Sequence, residues 1–153
     1  MAAKVSAGLL VYRLRGGESE VLLVHPGGPF LKKKDDGGWS IPKGETDGLE
    51  ELMERARTEF REELGAEPPA GPYIELGSVK QKGGKTVHAW ACEGDFAGPL
   101  RSNTFQIEWP PGSGKMQEFP EVDRAEWFGL AEARVKMNAA QVAFIDVLIT
   151  RLV

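Results

Sequence analysis

The chain has 153 residues and a net charge of −4, with 41% hydrophobic and 27% charged residues, a composition typical of globular proteins. The acidic balance argues against binding to duplex DNA or RNA, because such proteins usually carry a basic patch or stripe. With one cysteine, Cys92, no intrachain disulfide can form, and two distant histidines do not make a histidine-based metal motif.

The length fits one domain spanning residues 1–153, since the sequence shows neither an internal repeat nor a low-complexity linker. The stretch MAAKVSAGLLVYRLRGG has a short apolar run before Arg13, so it predicts neither a secretion signal nor a membrane span. We therefore expect a cytoplasmic protein with no membrane partner and no nucleic-acid partner. Nothing in the sequence indicates an oligomeric state.

Two strands are predicted first. The runs VSAGLLVYRL and VLLVH are short, apolar and rich in β-branched residues, and the turn RGGESE joins them. A loop rich in glycine, proline and charge, PGGPFLKKKDDGG, comes next. The piece WSIP then reads as a short strand.

The segment after WSIP carries the clearest helical pattern. Apolar residues recur at three- and four-residue steps, namely Leu49, Leu52 or Met53, Ala56, Phe60 and Leu64. Asp47, with Glu50 three residues later, is the expected N-terminal cap. Gly65, followed by Pro68 and Pro69, is expected to end the helix.

Four further strands and a second helix are predicted. YIELGSVKQ and KTVHAWACEG flank a KGG turn, and TFQIEW and VDRAEWF flank a loop around PPGSGK. The segment NAAQVAFIDVLITRL predicts a helix, because its apolar residues share one face: Val142, Ile145, Leu148, Ile149 and Leu152. This mixed order of strands and two helices predicts an α/β or α+β fold with helices packed on a sheet.

The central helix concentrates like charge on one face. Glu59, Glu62 and Glu63 stand at positions i, i+3 and i+4, so their side chains lie within about one turn. On an exposed helix such a pair costs about 0.2–0.5 kcal/mol, whereas Mg²⁺ or Mn²⁺ prefers carboxylate oxygens as ligands. The spacing alone is compatible with a solvated acidic face and with a metal-binding face.

The segment from Gly44 to Ala66 resembles the signature of the Nudix hydrolases, G-x5-E-x7-R-E-U-x-E-E-x-G-U, where U is a bulky aliphatic residue. Gly44 and Glu50 match its first two defined positions. The later matches are Glu59, Phe60, Glu62, Glu63 and Gly65. Thr58 stands where the family has arginine, and Ala66 replaces the last aliphatic residue. The preceding PKG is also common in the family.

The resemblance implies a Nudix-type α/β/α sandwich, in which helices flank a mixed sheet. It also implies that Mg²⁺ or Mn²⁺ is bound by Glu59, Glu62 and Glu63 together with the backbone carbonyl of Gly44, and that one glutamate acts as general base. Glu59 is our first choice for that base. Glu50 is expected to be a supporting residue.

Family members often add a glutamate from a later strand or loop. The segment EFPEVDRAEWF offers Glu118, Glu121 and Glu126. The resemblance favours Glu121 as a further metal ligand, because it stands six residues before an aromatic residue, Trp127. The alternative is that all three are surface charges.

A phosphate-rich substrate requires basic groups near the metal, and a nucleobase is often held by stacking. Lys43 directly precedes Gly44, and Lys34 ends a run of three lysines, so both are candidate substrate-binding residues. Aromatic candidates are Trp39, which we favour, and Phe30, Trp90, Phe105 and Trp109. PGSGK does not match a nucleotide-binding P-loop.

The missing arginine at Thr58 has a candidate replacement. Arg55 lies four residues before Glu59 on the same helical face, whereas Arg57 points to nearly the opposite side. We expect Arg55 to support the glutamates by ion pairing.

The favoured function is metal-dependent hydrolysis of a phosphoanhydride bond in a nucleoside diphosphate linked to another group, most of all a nucleoside triphosphate or dinucleoside polyphosphate. ADP-ribose or a sugar nucleotide is the alternative substrate. A non-catalytic nucleotide-binding module of the same fold is a second class, and an acidic protein-interaction domain is a third.

Overall fold

The computed structural model describes residues 4–46 and 51–152. Within these residues the chain forms eight strands and three helices, and a 3₁₀ turn at Ala139–Gln141 precedes the last helix. In chain order the elements are β1 Val5–Arg15, β2 Glu18–Pro26, β3 Lys43–Glu45, α1 Leu52–Leu64, β4 Ile74–Lys80, β5 Thr86–Glu93, β6 Thr104–Glu108, β7 Met116–Pro120, β8 Val122–Gly129, α2 Leu130–Lys136 and α3 Val142–Leu152.

The main sheet is mixed and has β1 at its centre. Its strand order is β4-β5-β1-β2-β8, and β3 also pairs with β1. The pairing of β1 with β5 is parallel, while β1 pairs with β2 and β3 in the antiparallel sense. Residues 6–12 of β1 are all buried, which is the continuous apolar pattern of a strand covered on both faces.

Helices cover both faces of this sheet. Leu9 and Val11 of β1 pack with α1 on one face, against Phe60 and Leu64. Leu10 faces the opposite side and belongs to the core cluster that includes Ile145 of α3. This alternation follows from the two-residue period of a strand. The predicted α/β/α sandwich with a mixed sheet is confirmed.

The helix α1 ends where the sequence predicts. Gly65 adopts a left-handed conformation (φ 72°) and donates its backbone N–H to the carbonyl of Arg61 at 2.8 Å, a geometry that glycine adopts without steric cost. The expected cap residues Asp47 and Glu50, and the apolar Leu49, lie outside the described residues. No helix in the described ranges is both long and apolar enough to cross a lipid bilayer.

Three local predictions were wrong. WSIP forms only two isolated bridges, between Ser40 and Val24 and between Trp39 and Met137, and the strand of this region is β3, just after it. The expected loop after β6 contains β7, which pairs with β6 in a separate two-stranded sheet. The helix α2 was not expected, because its seven residues are too few to show a clear helical period.

Candidate functional site

The glutamate-bearing face of α1 packs against β3. Glu59 and Glu63 are each only 8% exposed, since they flank the apolar stripe that places Phe60 and Leu64 in the core. Gly44 of β3 faces the Glu59 carboxylate so closely that an added Cβ atom would overlap it. Glycine at position 44 is therefore required by this close approach between the strand and the helix.

Arg55 holds one oxygen of Glu59. The Arg55 Nη1 atom lies 3.0 Å from Glu59 Oε1, one helical turn away. Arg57 instead contacts Glu54 at 3.5 Å and places its guanidinium over the ring of Tyr73. The ion pair expected from the sequence is present, and Arg55 supplies a positive charge close to Thr58, where the family signature has arginine.

Burial and crowding of carboxylates change the acid–base behaviour of the site. Burial, followed by the charge of Glu59, raises the pKa of Glu63 to about 9, although the Lys43 ammonium and a hydrogen bond from the Lys43 backbone N–H oppose the shift. Burial also raises the pKa of Glu59, and the charge of Glu62 adds to this against the opposing effect of Arg55. Lys43 and Arg55 thus offset only part of the effect of burial and carboxylate crowding on these pKa values.

Glu121, at the junction of β7 and β8, belongs to the same electrostatic group. Its charge raises the pKa of both Glu59 and Glu63, and its own pKa is raised by burial and then by Glu62. Glu118 and Glu126 are exposed on β7 and β8. Four acidic side chains from two separate parts of the chain therefore influence one another.

The donor chemistry of this group suits a hard divalent cation, because carboxylate and carbonyl oxygens are the ligands that Mg²⁺ prefers. A cation would also reverse the repulsion that raises the pKa values. Among residues 4–46 and 51–152, no three acidic, histidine or cysteine side chains already converge on a point where they could hold a metal ion. Metal ligation is taken up below as a proposal.

A pocket of about 370 Å³ opens beside these carboxylates. Glu63 and Glu121 line it together with Lys43 and Lys34, so acidic and basic candidates from four chain segments meet in one cavity. Burial, and then the charge of Lys85, lowers the pKa of Lys43. Lys34 is exposed at the rim. The volume lies in the range of small-molecule sites.

Trp39 lines the same pocket but does not offer a stacking surface, which corrects the expectation from sequence. Its side chain is 1% exposed, and its ring makes edge contacts with His25 and Phe128 at centroid distances of 5.2 and 5.0 Å. Its indole N–H donates to Asp35 at 2.8 Å. Trp39 thus supports the pocket wall from within the core.

Two polar groups at the pocket were missed by the sequence analysis. His25 is fully buried, with Nδ1 2.8 Å from an oxygen of Asp123 and Nε2 2.6 Å from the carbonyl of Lys34, so it ties down the lysine loop. Gln141 is also fully buried and bonds the backbone N–H of Ile41 at 3.0 Å. Asp123 and Ile41 are 98 and 100 residues away from His25 and Gln141, so no sequence spacing indicates these two pairs.

Comparison with solved structures supports the same fold. An Ap4A hydrolase from C. elegans in a binary complex aligns with a TM-score of 0.70 and 20% identity, covering 96% of this chain and 97% of that one. The NUDIX domain of Shewanella oneidensis NrtR, complexed with ADP ribose, gives 0.66 and 18%, covering 100% and 90%. A MutT protein from Methanosarcina mazei Go1 gives 0.63 and 19%, covering 98% and 95%.

No curated protein sequence matches the chain significantly. A family model described as the NUDIX domain matches residues 3–148, which is nearly the whole chain and includes the glutamate face, Gly44 and Glu121. The chain therefore belongs to the Nudix family.

Proposed function

We propose that this protein is a metal-dependent pyrophosphohydrolase. It cleaves a phosphoanhydride bond in a nucleoside diphosphate linked to another group, with a nucleoside triphosphate or a dinucleoside polyphosphate as the favoured substrate. The observation that carries this proposal is the pocket in which Glu63 and Glu121 meet Lys43, where burial and the neighbouring Glu59 raise the pKa of Glu63.

The acidic residues would hold Mg²⁺ or Mn²⁺. The donors are the carboxylates of Glu59, Glu62, Glu63 and Glu121 and the backbone carbonyl of Gly44. A bound divalent ion neutralises charge on the phosphate oxygens and favours deprotonation of water. Because metal ligands must be ionised, the raised pKa of Glu63 makes ion binding and proton release coupled events.

The other side chains bind and orient the substrate. Lys43 and Lys34, on the pocket lining, neutralise phosphate charge. Glu59 is the favoured general base: it accepts a proton from the water whose oxygen attacks phosphorus, while the bond from phosphorus to the bridging oxygen breaks. Burial raises the pKa of Glu59, which makes it a stronger base than an exposed carboxylate. Arg55 donates to the Oε1 atom of Glu59 and holds the carboxylate in place.

ADP-ribose or a sugar nucleotide is the alternative substrate. Similarity to a domain complexed with ADP ribose and to an Ap4A hydrolase leaves both substrate classes to be tested, since identity near 20% supports the fold alone. A non-catalytic nucleotide-binding module is the second class of function, and Thr58 is the residue that favours it.

The test is a substrate panel. The purified protein is incubated with nucleoside triphosphates, dinucleoside polyphosphates, ADP-ribose and sugar nucleotides, with Mg²⁺ or Mn²⁺, and the products are resolved by chromatography. We expect cleavage of a phosphoanhydride bond that stops when the metal is chelated and that falls by about 10²-fold or more in Glu62→Gln and Glu63→Gln.

Gln106→Glu is the matched control, because Gln106 is exposed on β6 and does not line the pocket. It should cleave as the parent does. Absence of turnover on every compound, with Glu62→Gln and Glu63→Gln binding nucleotides as the parent does, would refute the enzyme and favour the binding module.

A further inference from the structure

A buried hydrogen-bond network at one end of the pocket determines how its amide side chains are oriented. The backbone N–H of Ile41 donates to Gln141 Oε1 at 3.0 Å, and a backbone N–H can only donate. Gln141 Nε2 is therefore the donor side of that amide. It donates to Ser40 Oγ at 3.0 Å and to Gln81 Oε1 at 2.8 Å.

This network fixes the orientation of Gln81. Its Oε1 atom accepts a hydrogen bond from Gln141. The NH₂ group on the other side of the amide is therefore the group available to donate to another partner. The Ser40 hydroxyl donates to the carbonyl of Ile41 at 2.7 Å and accepts from Gln141 Nε2. Gln81 lines the pocket. In the described part of the chain no acceptor pairs with its NH₂ group.

Asn138 is oriented in the same way by different bonds. Its Oδ1 atom accepts the backbone N–H of Ala140 at 3.0 Å, which leaves its NH₂ group as the outward donor. The Asn138 backbone carbonyl accepts the N–H of Gln141 at 2.9 Å, so Asn138 and Gln81 are both bonded directly to Gln141. Asn138 lines the same pocket, and within residues 4–46 and 51–152 its NH₂ group has no bonded acceptor.

The rest of the pocket lining is both apolar and charged. Apolar side chains contribute to its walls, among them Leu31, Ile41 and Val122, and Lys43 and Glu63 line it as well. Placed polar groups such as the amides of Gln81 and Asn138 orient a small molecule bound in a cavity. Here both placed groups are hydrogen-bond donors.

We propose that Gln81 and Asn138 select a 6-oxopurine base, so that guanine nucleotides are preferred over adenine nucleotides. This inference rests on the proposed function, since it names the substrate class of the same pocket. Guanine presents two neighbouring acceptors, O6 and N7, on one edge, whereas adenine presents N7 and the N6 amino donor. Two amide donors match the O6 and N7 acceptors of guanine. With adenine, one amide donor would face the N6 amino group, which is also a donor.

The experiment compares kcat/KM for GTP, ITP and ATP in the parent protein with Mg²⁺. We expect GTP to exceed ATP by about tenfold or more, the discrimination typical of one well-formed pair of contacts to a base edge. ITP should match GTP, because it carries the same O6 and N7 acceptors without the 2-amino group. Equal use of GTP and ATP, or ITP behaving as ATP does, would overturn the proposal.

Two isosteric variants test the residues. Gln81→Glu keeps the oxygen that accepts from Gln141, and Asn138→Asp keeps the oxygen that caps Ala140, so each replaces only the outward donor by an acceptor. The ratio of GTP to ATP should fall towards unity or invert in each variant and stay at the parent value in Gln106→Glu. An unchanged ratio in both pocket variants would contradict the assignment.

A second measurement separates this inference from the proposed function. If no nucleotide is hydrolysed, the enzyme proposal fails, and calorimetric titration with GMP and AMP still decides the base preference. Tighter binding of GMP that is lost in Gln81→Glu and Asn138→Asp supports the donor pair. Equal binding of the two monophosphates, or binding unaffected by both substitutions, refutes it.

Discussion

At the scale of the residue, Arg55 pairs with Glu59, and we propose that it replaces the arginine that the family signature places at Thr58. In its ion pair with Glu59, the Arg55 side chain is 23% exposed and the Glu59 side chain 11%. Solvent therefore screens this pair less than a pair on the surface. A position one helical turn earlier can serve because side chains at i and i+4 meet on the same face. The sequence spacing therefore predicted this contact from α1 alone.

Arg55→Ala should lower metal-dependent turnover by about 10-fold to 100-fold, because Glu59 loses the charge that holds its carboxylate in place. Steady-state kinetics with the best substrate of the panel measures the effect. Arg61→Ala is the matched control: Arg61 lies on the same helix but pairs with Glu67 at 2.8 Å, away from the glutamate face. An unchanged kcat in Arg55→Ala would contradict the role assigned to Arg55.

Adding Thr58→Arg to Arg55→Ala should restore part of the lost turnover, because it returns a guanidinium to the position that the family signature uses. The comparison is the double variant against Arg55→Ala, at the same metal concentration. Recovery would show that position 55 replaces position 58. No recovery, with both variants folded to the same extent, would show that Arg55 acts in some other way.

Glu63 makes the metal-free protein sensitive to pH. Its folded pKa is about 9, well above the value near 4.3 of an unfolded glutamate. Between these two values the folded state keeps a proton that the unfolded state has lost, so the contribution of Glu63 to stability falls as pH rises and is lost above pH 9.

Glu63→Gln should therefore increase the free energy of unfolding of the metal-free protein at pH 8 by about 2 kcal/mol or more and leave it nearly unchanged near pH 4. Chemical denaturation in chelator across this pH range measures the difference between parent and variant. A difference that does not grow with pH would contradict the burial of an ionisable Glu63. Loss of turnover in the same variant remains a separate observation.

At the scale of the element, the contact between β3 and α1 brings the glutamates to the pocket. Gly44→Ala places a Cβ atom in the space of the Glu59 carboxylate, so we expect a loss of about 1–3 kcal/mol in stability together with a marked loss of turnover. Gly129→Ala is the control, because that glycine has a negative φ of −61° and an open space around its would-be Cβ. Equal behaviour of the two variants in thermal melts and assays would refute the close approach at position 44.

Elements that are long enough to show an apolar pattern were predicted from the sequence. Short strands that form only because a neighbouring strand pairs with them were not. The helix α1 and the strands β1 and β2 carry continuous apolar patterns, so local spacing was enough. β3 has three residues, Lys43–Glu45, and is a strand because Ser6–Gly8 of β1 hydrogen-bonds to it. β7 is exposed along most of its length and shows no alternation of buried apolar residues, and it exists because β6 pairs with it.

The same distinction applies to the site. Glu59, Glu62 and Glu63 follow from helical spacing, and Gly44 and Glu121 from resemblance to a family. The orientation of Trp39, the buried His25 and the amides of Gln81 and Asn138 depend on partners up to about a hundred residues away in the chain. Such contacts leave no periodic signal, so the sequence could suggest Trp39 as an aromatic candidate but not the direction in which its ring faces.

At the scale of the whole molecule, the sandwich brings side chains from both of its helical layers to one pocket. α1 brings the acidic face from one layer, and the segment before α3 brings Asn138 and Gln141 from the other. The pocket is lined by Lys43 and Glu63 and also by Gln81 and Asn138. Under the two proposals above, the first pair would lie at the phosphates of a nucleotide and the second pair at its base.

A divalent cation should stabilise the folded chain. If Mg²⁺ binds the folded protein and not the unfolded one, then a concentration of 100 times Kd adds about 2.7 kcal/mol and raises Tm by about 5–10 °C. Melts at pH 8 with MgCl₂ are compared with NaCl at equal ionic strength, which controls for screening. An equal effect of the two salts, or an equal gain in Glu63→Gln, would contradict a site built on the glutamate face.

The central claim, that these carboxylates form a metal-dependent hydrolytic site, is tested most directly by single-turnover cleavage of the best panel substrate as Mg²⁺ is titrated. The parent and Glu59→Gln are compared at enzyme excess. The account predicts a saturable dependence on Mg²⁺ in the parent and a cleavage rate at least about 10²-fold lower in Glu59→Gln at saturating metal. Cleavage that persists in chelator, or that proceeds equally in both proteins, would contradict it.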